Sequence, residues 1–232
     1  RDSVFSEDFT GGANGFTYSD GGFGGSDPGG DNHAFGNYFT GFGTGGSVYV
    51  YTDGVNSTAE TNISGNWSNT FTLAQDETNL TIDFDYRAYH ATSHAAGEDM
   101  QIYVEIDGVQ YGLDGNNYVA EIIGGTTTSN SFINVSVDVG DLSAGTHTIS
   151  FGFLKTASNS STDDSYVVFD NIDIGRDVEH TITSLNQMDV GESNTLYGGD
   201  GIDTLYGSSG TDVLFGGGDL IDGTDITNLV FG

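Results

Sequence analysis

A nine-residue repeat in the last quarter of the chain is the feature that most constrains its fold. Gly198–Tyr206 reads G-G-x-G-x-D-x-U-x, where U is a large apolar residue, and Gly207–Phe215 repeats the pattern with Ser208 in the second glycine position. Asn194–Tyr197 is the end of a preceding copy, with asparagine where the others have aspartate. Self-similarity at a fixed period is typical of repeat architectures, and flexible linkers do not keep leucine at one phase.

The residue types in each copy suit one tight turn followed by one short strand. Glycine tolerates the positive φ angles of the turn, and the x-U-x portion is a strand whose Leu205 or Leu214 packs in a thin core. The turn directs backbone carbonyls and the aspartate carboxylate inward, which gives the all-oxygen shell that Ca²⁺ prefers. A third copy is shortened, because Asp219 follows Asp212 by seven residues instead of nine.

The repeat resembles the calcium-binding nonapeptide of RTX proteins, which forms a parallel β-roll. In that family the ions lie between stacked turns and are shared by successive carboxylates. The resemblance implies several bound Ca²⁺ ions as cofactors. The side chains that match ligand positions are Asn194, Asp200, Asp203, Asp212 and Asp219.

The charge and composition of the chain exclude several classes of partner. Its 34 acidic residues outnumber four basic ones, and the formal net charge is −30. A chain of this charge repels nucleic acid and anionic lipid, and no apolar run approaches the length needed to cross a membrane. There is no cysteine, so we expect bound calcium to brace the fold where a disulfide otherwise would.

Before the repeats, the hydrophobic pattern has a period of two. Val48 and Val50 alternate with tyrosines, Leu80–Tyr86 alternates between apolar and polar residues, and Asp107-Gly108 marks a tight hairpin. Many short strands with Gly, Asp and Asn turns are typical of an antiparallel sandwich. We therefore predict an all-β protein, with a jelly-roll-like β-sandwich over residues 1–175 and a short parallel β-roll with flanking caps over residues 176–232.

Two loops of this sandwich combine acidic pairs with basic residues. The first, His90–Asp99, and the second, Ala157–Ser165, each follow a long strand and can open at the same end of an antiparallel sandwich. We expect Ca²⁺ there, with an open coordination position for carboxylate or hydroxyl oxygens. The alternative is two independent solvated loops. The predicted metal ligands are Glu98, Asp99, Asp163 and Asp164, and the predicted ligand-binding residues are Arg87, His90, His94, Lys155 and Tyr38.

A second resemblance concerns the ends of the sandwich domain. Val168–Ile174 resembles the final strand of calcium-stapled jelly-roll modules, in which acids of the first and last strands hold a structural ion. The resemblance implies Glu7, Asp8 and Asp170 as ligands; the alternative is that these acids are solvated at strand ends.

A sandwich followed directly by RTX repeats resembles the distal end of long bacterial RTX adhesins. The resemblance implies an extracellular module on the cell surface that uses calcium to bind a peptide of another surface, including its chain-terminal carboxylate, in cell adhesion or biofilm formation, with a glycan as the alternative ligand. We favour the peptide, because Arg87 and Lys155 near an acidic calcium loop suit a carboxylate better than a neutral sugar. We expect a monomer that is part of a longer adhesin. No catalytic motif is present, so we expect no enzyme; an RTX-tagged polysaccharide-degrading enzyme using Asp83 and Asp85 or the two histidines, and a spacer without ligand, are the alternatives.

Overall fold

The computed structural model describes residues 1–26, 34–41, 45–54, 59–126, 128 and 131–176, and the backbone of four short strands at 195–197, 204–206, 213–215 and 229–231. It contains two compact units, Val4–Ile174 and the combination of Arg1–Ser3 with Gly175–Gly232. Every regular element among the described residues is a strand, and none is a helix that could span a membrane. The predicted all-β class is confirmed.

Twelve strands build the sandwich within the described part of residues 1–176. In chain order they are β1 (Asp2–Glu7), β2 (Thr17–Asp20), β3 (Ala34–Phe39), β4 (Ser47–Thr52), β5 (Glu60–Leu73), β6 (Glu77–His90), β7 (Met100–Ile106), β8 (Val109–Tyr111), β9 (Ala120–Ile122), β10 (Ile133–Leu142), β11 (Gly145–Ser158) and β12 (Ser165–Arg176). Sheet A has the order β10–β6–β12–β4–β3, with β1 also paired to β12. Sheet B has the order β2–β5–β11–β7–β8, with β9 also paired to β7.

The core lies between the two sheets, as the period-two pattern requires. Leu80, Ile82 and Phe84 of β6 point inward and are at most 2% exposed. The rings of Phe151 in β11 and Phe169 in β12 have centroids 4.7 Å apart, so sheets A and B meet directly through aromatic side chains. Burial of such rings is the main source of stability in a sandwich of this size.

The hairpin between β7 and β8 confirms the Asp107-Gly108 turn. Both residues have positive φ, 53° and 78°, which is the geometry of a type I′ turn. The Asp107 carboxylate also accepts hydrogen bonds from the backbone N–H of Thr148 at 2.8 Å and from His147 Nδ1 at 2.7 Å. His147 Nε2 faces the Ser143 carbonyl at 2.8 Å. Because both ring nitrogens of His147 face acceptors, the imidazolium form fits this site best.

This contact predicts a pH-dependent contribution to stability. The hydrogen bond to Asp107 raises the pKa of His147 above 6.5, so its stabilisation is fully present below that pH and is lost as the pH rises through the folded-state pKa. Asp107→Asn should lower the free energy of unfolding by about 1 kcal/mol at mildly acidic pH and by less in alkaline buffer, measured by urea denaturation. Asp114→Asn, in an exposed loop, is the control. Equal losses at both pH values would contradict the assignment.

After residue 176, the described residues of the second unit form four short strands. They are β13 (Thr195–Tyr197), β14 (Thr204–Tyr206), β15 (Val213–Phe215) and β16 (Leu229–Phe231). Strand β13 pairs in parallel with β15, and β14 with β16. Pairing of alternate strands in parallel is the arrangement of a two-faced roll, so the predicted parallel β-roll is confirmed.

Candidate functional site

The strands of the repeat region fall where the nonapeptide pattern predicts them. Leu196 of β13 is the register partner of Leu214 in β15, and Leu205 lies at the centre of β14. The predicted calcium ligands of this region lie outside the described residues, so their roles stay predictions. These residues are Asn194, Asp200, Asp203, Asp212 and Asp219.

The two acidic loops of the sandwich do come together at one end. The backbone N–H of Ala91 donates to the Asp164 carbonyl at 3.0 Å, and Ser93 Oγ donates to the Thr162 carbonyl at 2.7 Å. We call residues 53–54, 91–99 and 159–164 the loop end of the sandwich. Its loops bond directly to each other, once between main-chain groups and once through the Ser93 hydroxyl, so they are not independent solvated loops.

Lys155 is buried at the centre of the loop end instead of facing a ligand. Its side chain is 0% exposed, and Nζ donates to the carbonyls of Asp53 at 2.9 Å and Asp163 at 2.8 Å. Burial lowers the pKa of Lys155 to about 8, against the opposing effect of nearby carboxylates led by Asp163. The expectation that Lys155 contacts a ligand from solvent is therefore corrected: its ammonium joins two segments of the protein.

His90 and His94 are also interior residues, 1% and 2% exposed. Their rings stack with centroids 3.6 Å apart. His90 Nε2 lies 2.7 Å from the Glu98 carbonyl and Nδ1 lies 2.9 Å from Ser165 Oγ, while His94 Nδ1 lies 2.8 Å from the Ala91 carbonyl. A carbonyl accepts only from an N–H, which fixes the tautomer of each ring. Both histidines hold the loop end together, and neither presents a ring nitrogen to solvent.

Three of the four acids predicted to bind calcium here, Glu98, Asp99 and Asp163, accept hydrogen bonds from backbone N–H groups. Asp163 Oδ2 accepts from the N–H of Asn159 and of Ser160, and Asp99 Oδ1 accepts from that of Gly124. Glu98 Oε2 accepts from the N–H of Ala95 at 2.5 Å. The second oxygens of Glu98 and Asp163 and one oxygen of Asp164 are buried without a partner.

These unpartnered oxygens do not converge on one point. Among the described residues, no group of three or more His, Asp and Glu side chains is arranged to hold a metal ion. Oxygen donors suited to Ca²⁺ are present at the loop end, but a single ion shared by Glu98, Asp99, Asp163 and Asp164 is not preassembled. That calcium site stays a prediction.

The acids at the ends of the sandwich do lie near each other. Glu7 and Asp8 line a cleft of about 450 Å³ together with Asn171. Asp170 is 3% exposed, and burial, helped by the charges of Asp85 and Asp8, raises its pKa to about 6. A carboxyl group in such a position would gain from a bound cation. The structural calcium site at Glu7, Asp8 and Asp170 fits this chemistry and stays a prediction, since these acids do not form a preassembled cluster.

An aromatic surface covers the outer side of sheet A. We call it the aromatic face; its residues are Phe35, Phe39, Tyr49, Tyr51, Tyr89 and Tyr166. Tyr166 of β12 is the register partner of Tyr51 in β4, and Tyr51 is the partner of Phe35 in β3. Tyr89 of β6 stacks on Tyr166 with ring centroids 5.1 Å apart. One row of four aromatic rings thus crosses four adjacent strands.

The aromatic face is accessible to solvent. Phe35 is 44% exposed, Phe39 46% and Tyr89 36%, and the tyrosines Tyr49 and Tyr51 are half-buried. A shallow depression of about 220 Å³ lies between Phe39, Tyr49, Tyr51, Tyr166 and Val168. A contiguous aromatic patch on the surface of an otherwise acidic protein is a mark of a binding site.

Tyr38 is not part of this surface. It alternates with Phe35 and Phe39 along β3, so it faces inward, where its hydroxyl donates to the Phe9 carbonyl at 3.1 Å and its ring packs on the core. The expected ligand contact of Tyr38 is corrected to a structural one. Arg87, by contrast, lies two residues before Tyr89 on β6 and shares its outward side.

One end of the aromatic face is acidic. The Tyr51 hydroxyl lies 3.4 Å from Asp53 Oδ1. Burial, together with the negative charges of Asp164 and Asp53, raises the pKa of Tyr51, so this phenol stays neutral at physiological pH. The two carboxylates therefore border the row of rings at Tyr51.

Sequence reasoning missed Tyr49, Tyr51, Tyr89 and Tyr166 as candidate binding residues. The signal was present in β4, where two tyrosines occupy the positions opposite the buried Val48 and Val50. In a strand with one buried side, those positions face solvent. Their assembly with Tyr89 and Tyr166 depends on the order of strands in sheet A, which alternation alone does not provide.

The comparisons with known proteins bear on both parts of the chain. Residues 190–219 match the RTX calcium-binding nonapeptide repeat. The calcium-binding character of the repeat is thereby confirmed, and such repeats are typical of secreted proteins. The match covers 30 residues, counted from 190 to 219. No curated protein matches the sequence.

Several solved structures are similar to the chain over about three-quarters of its length. One is a mannan-recognising carbohydrate-binding module, TmCBM27 (11% identity, TM-score 0.48, 75% of this chain and 97% of that chain). Another is the K1 cleaved adhesin domain of Lys-gingipain from Porphyromonas gingivalis W83 (19%, 0.40, 75% and 98%). A third is the family 11 carbohydrate-binding module of Clostridium thermocellum with a mixed-linked tetrasaccharide (16%, 0.38, 75% and 96%).

Proposed function

We propose that this chain is an extracellular glycan-binding module of an RTX adhesin, and that the aromatic face is its ligand-binding surface. The observation that carries the proposal is the row formed by Tyr89, Tyr166, Tyr51 and Phe35 across four strands of sheet A. Three strand spacings amount to roughly 14 Å, which suits a short run of sugar units. Aromatic side chains offer apolar contact to sugar C–H groups, and the tyrosine hydroxyls offer hydrogen bonds.

Charge narrows the class of glycan. The formal net charge of the chain is −30, and Asp53 lies beside Tyr51, an inner member of the row. Like charges at an interface cost affinity and slow the encounter. The ligand is therefore an uncharged oligosaccharide, and polyanionic polysaccharides are excluded by repulsion.

The same geometry weakens the case for a chain-terminal carboxylate as the ligand. That case depended on Arg87 and Lys155 as neighbouring cations. Lys155 is 0% exposed and bonded to two main-chain carbonyls, which leaves Arg87 as the one remaining cation of the pair. We therefore propose a glycan ligand, and binding of a peptide alone would contradict this proposal.

The test is a binding screen with two matched variants. We expect neutral oligosaccharides to bind the intact protein with calcium present, without being cleaved. Tyr166→Ala and Tyr51→Ala should each weaken binding about tenfold, equivalent to about 1.4 kcal/mol, measured by calorimetry. Tyr118→Ala is the control, because Tyr118 packs against Tyr103 on the other sheet and its loss should leave affinity unchanged.

Three outcomes would overturn the proposal. Capture of peptides with free carboxylates, but of no glycan, would assign the sandwich to peptide recognition. Release of shortened oligosaccharides would make the protein an enzyme. Equal affinity of the Tyr51, Tyr166 and Tyr118 variants would move the site away from the aromatic face.

A further inference from the structure

Lys155 links the two sheets at the loop end of the sandwich. It is the single lysine of the chain and belongs to β11 of sheet B, yet both of its acceptors belong to sheet A or its loops. Asp53 follows directly on the last residue of β4, and Asp163 precedes the first residue of β12 by two positions. The ammonium lies 2.9 and 2.8 Å from their carbonyl oxygens.

The two strands whose ends it joins are those that carry the centre of the aromatic face. Strands β4 and β12 pair from Phe169 with Val48 to Ser165 with Thr52, and the pair before that last one is Tyr166 with Tyr51. Beyond Ser165 and Thr52 the ladder has no further pair. The Lys155 ammonium supplies the next cross-link. It donates to one carbonyl of the segment that follows β4 and to one of the segment that precedes β12, just past the end of the ladder.

A buried ammonium is a strong cross-link. A hydrogen bond from a charged donor is about twice as strong as one between neutral groups, and low local polarity strengthens it further. The cross-link also connects to the aromatic face through Asp53. Asp53, held through its carbonyl by Lys155, uses its carboxylate to contact the Tyr51 hydroxyl and its own loop at the N–H of Gly54.

We propose that Lys155 is a positioning residue for the aromatic face, which it orders from the opposite sheet by fixing the ends of β4 and β12. This inference builds on the proposed glycan-binding function. Without the ammonium, the buried hydrogen bond to the Asp163 carbonyl and the partly buried one to the Asp53 carbonyl are lost. The ends of these strands then separate, so Tyr51 and Tyr166 no longer keep one register. Affinity for the glycan then falls although the sandwich stays folded.

The absence of cysteine allows a test that changes only the charge at this position. Lys155→Cys is alkylated in denaturant with 2-bromoethylamine, which restores an ammonium on a side chain of lysine length, or with iodoacetamide, which gives a neutral side chain of similar size. Both adducts are then refolded with calcium. Where an adduct does not refold, Lys155→Met produced directly replaces the neutral adduct.

Two readouts separate positioning from general stability. The first is affinity for the neutral oligosaccharide that the intact protein binds best, which should be at least tenfold weaker for the neutral adduct and close to normal for the ammonium adduct. The second is amide hydrogen exchange at Tyr51, Thr52, Ser165 and Tyr166, which should be faster in the neutral adduct alone. Fluorescence of the single tryptophan supports the second, because Trp67 Nε1 donates to the Tyr49 carbonyl of β4 at 2.9 Å.

Leu154→Ala provides the matched control. Leu154 is the neighbouring residue on β11, 6% exposed, and it packs with Phe23 and Tyr103 away from the aromatic face. Its truncation should lower the melting temperature without changing glycan affinity. The inference is overturned when both adducts bind equally well, or when Leu154→Ala weakens binding as much as loss of the ammonium does. Failure of the unmodified protein to bind any glycan would instead refute the proposed function, and the exchange rates would still decide whether Lys155 orders the strand ends.

Discussion

Removal of calcium is expected to unfold the repeat region and to leave the sandwich folded. Residues 190–219 match a calcium-binding repeat, and a glycine-rich segment whose predicted ligands are carboxylates depends on its ions for stability. A site at a thousand times its Kd contributes about 4 kcal/mol, and several such sites exceed what this small unit can supply otherwise. In the sandwich, Lys155 and backbone N–H groups already bond many of the loop-end oxygens.

Hydrogen exchange followed by mass spectrometry measures the two units separately. In EDTA, amides of 190–219 should lose all protection, while those of β5, β6 and β11 should keep theirs. Asp203→Asn combined with Asp212→Asn should reproduce the effect in calcium, and Asp114→Asn should have none. Circular dichroism and exchange that do not change on chelation would refute the calcium dependence of the repeat.

The second large effect concerns acid. Burial, followed by the charge of the stacked His94, lowers the pKa of His90 from 6.5 to about 4. Because the folded-state pKa lies below the unfolded one, this histidine stabilises the fold fully above pH 6.5 and progressively less as the pH falls toward 4. The loss amounts to at most about 3 kcal/mol, at 1.36 kcal/mol for each unit of pKa difference.

His90→Gln isolates this contribution. Glutamine offers one donor for the Glu98 carbonyl and one acceptor for Ser165, but it does not titrate. The variant should be less stable than the parent at neutral pH, and the difference should shrink on acidification, measured by urea denaturation from pH 7 to pH 4. The many surface carboxylates titrate alike in both proteins, so the comparison removes their effect. Parallel stability curves would show that His90 is not the titrating group.

Alternation along single strands was enough to predict the sandwich and much of its core. Leu80, Ile82 and Phe84 are buried as their spacing indicated, and the Asp107-Gly108 turn has the predicted hairpin. The strands of the nonapeptide repeat could be predicted for the same reason, because the period of nine residues is local in sequence. These features depend on neighbouring residues, which a single sequence displays directly.

The aromatic face, which is our proposed binding surface, was harder to predict because it depends on contacts between distant segments. The sequence predicted that Lys155 and His90 are exposed and contact a ligand, because they lie in or beside acidic loops. The fold buries both side chains, and main-chain carbonyls accept their hydrogen bonds in place of solvent. Tyr38 was predicted to contact the ligand, but the alternation of side chains along β3 directs it toward the core. The partners of Tyr51 on the aromatic face come from β12 and β3, which only the strand order brings together.

The burial of Lys155 has a further consequence, for the resistance of the sandwich to proteases. Proteases of the trypsin type cleave after lysine or arginine, and the sandwich unit contains two such residues, Arg87 and Lys155. Both lie within long strands, β6 and β11, where the backbone cannot enter a protease cleft without unfolding. Because these two bonds lie in paired strands, the folded sandwich should resist proteases of the trypsin type. Amine-directed coupling reagents, for the same reason, find no accessible lysine.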